Sequence, residues 1–117
     1  MTRILICGDR DWKDRAAIHR ELSKFTAPVT VIHGGAQGAD TIAGTVAKSL
    51  SFEVLIFPAD WDRDGLAAGP KRNMRMLDEG KPDLVLAFHS NLKESKGTKD
   101  SVAKARARGI EVRIFPS

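Results

Sequence analysis

Five stretches of this chain concentrate the side chains that hold polar ligands. They are Gly8-Asp9-Arg10-Asp11-Trp12, His33-Gly34-Gly35-Ala36-Gln37-Gly38-Ala39-Asp40, Pro58-Ala59-Asp60-Trp61, Arg72-Asn73, and the pair His89-Ser90 and Gly97-Thr98 on either side of a loop. Arg10 and Arg72 supply permanent charge and forked donors for an anion. The glycines at 34, 35 and 38 precede a helical pattern, where close backbone approach and unbonded N–H groups suit phosphate. Gly97-Thr98 opens a second helical pattern in the same way. Trp12 and Trp61 offer flat faces on which a base stacks. Asp11, Asp40 and Asp60 lie among these cations and can accept from sugar hydroxyls. Asp60 and Asp40 are also the candidates for acid–base chemistry. Each feature has a plainer structural use: glycines as tight turns, Arg72-Asn73 as an exposed first turn, His33 and His89 as structural histidines at strand ends.

Several specific chemistries are excluded by pattern. The loop at Gly34 is neither Gly-x-Gly-x-x-Gly nor a P-loop, since no Gly-Lys-Ser/Thr follows it. Asp60, Asp62 and Asp64 before Gly65 start like a calcium loop, but Lys71 stands where the bidentate glutamate belongs. No Cys/His cluster suggests zinc, and no Gly-x-Ser-x-Gly elbow is present. No metal and no cofactor is expected. The lone cysteine, Cys7, lies in an apolar run and reads as a small core residue.

The elements that position these residues alternate from end to end. Strand patterns cover Arg3–Cys7, Val29–His33, Glu53–Phe57, Asp83–Phe88 and Glu111–Phe115. Helical spacing covers Asp14–Phe25 (Ile18, Leu22, Phe25), Asp40–Leu50 (Ile42, Val46, Leu50), Pro70–Glu79 and Thr98–Arg108. Pro70 suits a first helical position, Thr98 an N-cap, and Gly80 and Gly109 suit the helix stops. Such βα alternation predicts a parallel sheet covered on both faces. The second, third and fourth strands are nearly continuous apolar runs, as buried parallel strands are. Loops Ala59–Gly69 and His89–Gly97 are longer than packing requires. Ligands of open parallel sheets bind beyond the carboxyl ends of the strands, and every stretch named above lies at that end. The opposite ends carry little but turns: Ala27-Pro28, Ser51-Phe52, Lys81-Pro82.

The length of 117 residues fits one domain, 1–117, which buries roughly 65% of its unfolded surface without disulfides. The N-terminal apolar run is too short for a signal core or a membrane span, so a cytoplasmic protein with no membrane association is expected. The net charge of +4 comes from residues 91–117, which hold seven basic and three acidic side chains; residues 1–90 hold twelve of each. That segment reads as a solvated helix face, with weak single-stranded nucleic-acid binding as the other use.

Taken together, the ordered motifs resemble the YspA-type, cpYpsA-related branch of the SLOG superfamily. The resemblance rests on Gly8–Trp12, Gly34–Asp40, Pro58–Trp61, Ala68-Gly69-Pro70 through Arg72-Asn73 and Met76, and Gly97-Thr98. It covers nearly the whole chain. It implies a Rossmann-like three-layer α/β/α domain with a five-stranded parallel sheet in the order 3-2-1-4-5. It also implies binding or sensing of a small nucleotide or nucleotide-derived ligand, ADP-ribose-like or a nucleoside phosphate. Small proteins of this branch occur in bacteria and phages, and such domains often pair as homo-oligomers. Two related groups frame the alternatives. The Lonely-guy phosphoribohydrolases, which cleave N-glycosidic bonds, carry Pro-Gly-Gly-x-Gly-Thr-x-x-Glu; no proline precedes Gly34 here and no matching glutamate follows. The DprA relatives bind single-stranded DNA through Gly-x-Ala-x-Gly-Ile-Asp; Gly34–Asp40 is close to it, with Ala39 in the isoleucine position.

Overall fold

The computed structural model describes residues 2–116. Its elements run β1 (Thr2–Gly8), α1 (Arg15–Leu22), β2 (Val29–His33), α2 (Ala39–Ser49), β3 (Glu53–Ile56), α3 (Trp61–Asp64), α4 (Ala68–Asp78), β4 (Leu84–Phe88), α5 (Gly97–Ala107) and β5 (Glu111–Phe115). The five strands form one parallel sheet in the order β3-β2-β1-β4-β5, the Rossmann-like arrangement expected.

Strand alternation divides the core into two layers. Ile4, Ile6, Val29 and Val31 point to one face and pack with Ile18 and Leu22 of α1 and Val46 of α2. Leu5, Cys7 and Ile32 point to the other face and meet Met76 and Leu77 of α4 and Val102 of α5. Each large apolar side chain so withdrawn from water contributes roughly 1.5–3 kcal/mol. Side chains at the helix starts fix the entries: the Asp14 carboxylate accepts from Ala17 N–H at 3.0 Å and caps α1. Among the described residues no helix is long and apolar enough to cross a membrane.

Several local expectations are corrected. The third strand is not buried: β3 is an edge, and Leu55 and Ile56 are 37% and 50% exposed. The stretch Ala59–Gly69 is not an open loop but α3, a 3₁₀ turn at Gly65–Ala67, and the start of α4 at Ala68, two residues before Pro70. The loop His89–Gly97 likewise holds a 3₁₀ turn at Leu92–Glu94. Thr98 does not cap α5; it lies inside the first turn, and Ser95 Oγ accepts from its N–H at 3.0 Å. The first helix ends at Leu22, short of Phe25.

The sheet order sets where a ligand can sit. From β1 the chain winds outward through β2 to β3, then crosses back through α3 and α4 to β4 on the other side of β1. The segments leaving β1 and β4 therefore part to opposite faces, and a crevice opens beyond their carboxyl ends.

A candidate ligand cleft at the carboxyl ends of β1 and β4

That crevice is a cleft of two joined compartments, one of about 600 Å³ and one of about 300 Å³. Arg10, Ala36, Trp61 and Arg72 line both, forming a waist between them. The larger falls well inside the size range of small-molecule sites. It lies between the ends of β1 and β4, the α4 flank and the start of α5. The smaller lies over the glycine loop and the end of β3.

The glycine loop is built differently from a phosphate cradle. Asp40, only 6% exposed, accepts from Gly34 N–H at 2.9 Å and from Ala36 N–H at 3.3 Å. The Gly35 N–H donates to His33 Nδ1 at 2.9 Å. Three successive loop amides are thus committed within the chain, against the expectation that they wait for an anion. The glycines serve close approach between protein parts. A side chain at Gly34 would strike the Arg72 guanidinium, and one at Gly38 would overlap the carbonyl oxygens of Asp9 and Arg10. Gly38 also has φ +74°, a left-handed conformation that costs other residues. Gly38→Ala should therefore lower stability by about 3 kcal/mol, read as a shift in the urea unfolding midpoint.

Arg72 occupies the waist. It is partly buried, donates through Nη1 to Gly34 O at 2.7 Å and through Nε to Asn73 Oδ1 at 3.0 Å. It makes no ion pair among the described residues. Burial lowers its pKa, Asp40 opposes that shift, and Arg10 adds to it. Asn73 is buried and carries the arrangement further: its Nδ2 donates to Gly97 O at 3.2 Å and to Asp100 Oδ2 at 3.0 Å. Asp100 in turn accepts from Lys104 Nζ at 2.6 Å. One chain of bonds thereby ties the start of α5 to the glycine loop across the back of the cleft.

The other expected site residues divide into three groups. Gly8, Asp11, Asp40, His89, Gly97 and Thr98 all line the large compartment. His89 Nδ1 accepts from Asn91 N–H at 2.9 Å, so its neutral form carries the proton on Nε2. Gly35 lines the small compartment together with Gly34. Outside both linings lie Gly38, Trp12 and Asp60. Trp12 is 6% exposed; its ring meets Phe88 edge-on with centroids 5.6 Å apart, and its indole N–H donates to Asp14 O at 2.9 Å. It is a core residue, whereas Trp61 is 50% exposed and lines both compartments. Asp60 caps α3, accepting from Arg63 N–H at 3.1 Å. Asp64 pairs with Arg63 and Lys71 at 3.0 and 3.2 Å, and the Lys71 pair ties α3 to α4. Among the described residues no group of three or more His, Cys, Asp or Glu could hold a metal ion.

Other lining residues escape the sequence motifs. Asp100 and Ser101 sit one turn into α5 from Gly97, on the same helix face; the (i, i+3) and (i, i+4) spacing from Gly97 is the signal that finds them. Leu66 is 96% exposed at the mouth, and Met76 walls the α4 side. Cys7 reaches the floor, where burial first and then the nearby Asp40 raise its thiol pKa and keep it protonated.

Two titratable groups are shifted within the loop. Burial pushes the Asp40 carboxyl up to about 6, against the pull of its two amide donors, Arg72 and Arg10. Burial lowers His33, helped by Lys48 and Arg72. His33 therefore stays neutral, as its acceptance from Gly35 N–H requires.

Comparison with known proteins agrees with this architecture. Residues 2–63 match the model of the YspA, cpYpsA-related SLOG family. The Gene 61 protein of Mycobacterium phage D29 is 40% identical, over 98% of this chain and 97% of its own. The X-ray structure of DNA processing protein A (DprA) from Streptococcus pneumoniae superposes with a TM-score of 0.82 at 13% identity. That likeness is one of fold. It covers all of this chain, which spans about half of the DprA chain, 51%.

Proposed function

The chain belongs to the YspA, cpYpsA-related SLOG family, and we propose that it binds a small nucleotide-derived ligand, a nucleoside phosphate or an ADP-ribose-like molecule, in the cleft beyond β1 and β4. The carrying observation is Arg72: a partly buried guanidinium, held by neutral acceptors and facing a cavity, with no ion-pair partner among the described residues. A desolvated cation in that position favours an anion strongly. Arg10 adds charge at the same waist. Trp61 gives a base its stacking face, and Asp9, Asp11 and Asp100 in the large compartment suit sugar hydroxyls.

Thermal shifts with nucleosides, their phosphates, ADP-ribose and cyclic nucleotides test the reading. Phosphorylated compounds should raise the melting temperature and the matching nucleosides should not. Flat curves across the set would count against it. Ligand should also quench the fluorescence of Trp61 rather than that of buried Trp12. Trp61→Ala should abolish the quench and weaken binding by about 1–3 kcal/mol, roughly 5- to 150-fold.

A hydrolytic reading has one observation in its favour: Asp40 and Asp100 both line the large compartment, whereas Asp60 does not. Chromatography for free base after incubation with nucleoside monophosphates separates turnover from binding. For single-stranded nucleic acid, the third ligand class, affinity that falls steeply with salt is the signature.

A further inference from the structure

We infer that the β3 edge pairs with the β3 edge of a second copy of this chain, antiparallel and about a two-fold axis beside Leu55, so that the two sheets become one. The edge is open. Phe57 N–H donates to His33 O, which fixes the phase of the ladder: Glu53, Leu55 and Phe57 turn their backbone groups toward β2, and Val54 and Ile56 turn theirs outward. Among the described residues no backbone bond outside the ladder reaches Val54 or Ile56. The edge is also unguarded. Edge strands resist pairing through charged side chains or proline within the strand. The opposite edge, β5, carries exposed Glu111 and Arg113, whereas β3 presents the apolar run Val54-Leu55-Ile56, of which Leu55 and Ile56 are exposed.

The edge complements itself in one register, with Val54 opposite Ile56 and Leu55 opposite its own copy. Val54 and Ile56 then exchange their outward N–H···O bonds on both sides of the axis. Phe52 falls opposite Pro58 at each end. The Phe52 N–H is already bound to Ala47 O and proline has none, so no donor is stranded. Sliding one strand by two residues sets Phe52 or Pro58 against an outward carbonyl, which then lacks its donor. The side chains agree with this register. Val54 meets Ile56 on the α2 face, and Leu55 meets Leu55 on the α4 face. Glu53 falls opposite Phe57, and the Arg75 guanidinium lies over the Phe57 ring, 5.5 Å from its centroid. The carboxylate of Glu53 on each copy thus faces the Arg75 guanidinium of the other. This charge complementarity, together with the register, selects a second copy over a strand of another protein. The carboxyl ends of the two β3 strands point apart, so both ligand clefts stay open and the pairing does not depend on what they bind.

Analytical ultracentrifugation of the full chain, from about 1 to 100 µM, should show a reversible monomer–dimer equilibrium. Leu55→Cys should form a disulfide-linked dimer under mild oxidation, because opposed Cα atoms in that non-hydrogen-bonded pair lie about 4.5 Å apart, within disulfide reach. Glu53→Cys should not, since its two copies lie at opposite ends of the pairing; native Cys7 is buried and leaves the assay clear. Ile56→Pro removes an outward N–H that β2 does not use, so circular dichroism should be unchanged while the dimer weakens at least tenfold. Glu53→Arg and Arg75→Glu should each weaken the dimer at least threefold, and the double variant should recover most of the loss. A monomer across the whole concentration range overturns the inference. So does a dimer that Leu55→Cys fails to cross-link, or a double charge variant as weak as either single one, since both place the contact elsewhere or in another register. Should Ile56→Pro not fold, the cross-linking pair decides alone.

Discussion

Arg72→Leu should weaken ligand binding by roughly 2–3 kcal/mol, about 30- to 150-fold, the largest single loss expected in the cleft. The guanidinium is the partly buried cation at the waist, and it donates to neutral oxygens, Gly34 O and Asn73 Oδ1. A phosphate there gains an unscreened partner. Leucine removes the charge and leaves both oxygens without this donor, so stability should also fall by about 1–3 kcal/mol. Arg72→Lys separates the two effects. An ammonium keeps the charge but cannot span Gly34 O and Asn73 Oδ1 while facing the ligand, since both bonds use the fixed fork. Its affinity should lie between wild type and Arg72→Leu. Calorimetry at constant pH and salt reads all three. Binding within threefold of wild type in Arg72→Leu would remove Arg72 from the site.

The second large effect is a pH dependence of stability centred on Asp40. Its carboxyl is pushed up to about 6 in the folded protein, from the ordinary aspartate value of 3.8. Between these values the native state keeps a proton that the unfolded state has released. Stability from this group is therefore fully present below about pH 4, falls as pH rises toward 6, and is flat above. The span corresponds to about 3 kcal/mol. This runs opposite to the usual aspartate, because burial outweighs the loop amides and arginines that favour the anion. Asp40→Asn removes the titration and keeps one acceptor for the loop. The difference in unfolding free energy between wild type and Asp40→Asn should therefore shrink or reverse in sign from pH 4 to pH 7, favouring the variant at the higher pH. A difference that stays constant over that interval would show that Asp40 titrates normally.

The architecture is readable from the chain because each layer leaves a local mark. Period-2 alternation in Ile4-Leu5-Ile6-Cys7 assigns residues to two faces, and punctuation by Gly34, Pro58 and Gly109 ends the elements. What escapes is anything decided by a neighbour distant in sequence. Leu55 and Ile56 read as part of a buried strand, since an apolar run looks the same at the centre of a sheet as at its edge; only the strand order exposes them. Trp12 follows a strand just as a ligand-stacking residue would. The direction of its ring is set by Phe88, 76 positions away, with no trace in the local spacing. Asp40 belongs to the loop motif, yet its work is to hold Gly34 and Ala36, a fold-back that residue types do not declare. Asp100 is missed because it belongs to the flank of α4 and α5, joined to Arg72 only through Asn73.

The commitment of the loop amides to Asp40 and His33 has a kinetic consequence. A loop already satisfied by its own chain is folded before any ligand arrives, so little ordering entropy is lost at the moment of encounter. For the nucleotide-derived ligand proposed above, capture would then be a matter of diffusion into the field of two guanidiniums, and the capture rate should fall with ionic strength. On that proposal, differences in affinity among related ligands should lie in their escape rates, so that residence time would distinguish one compound from another.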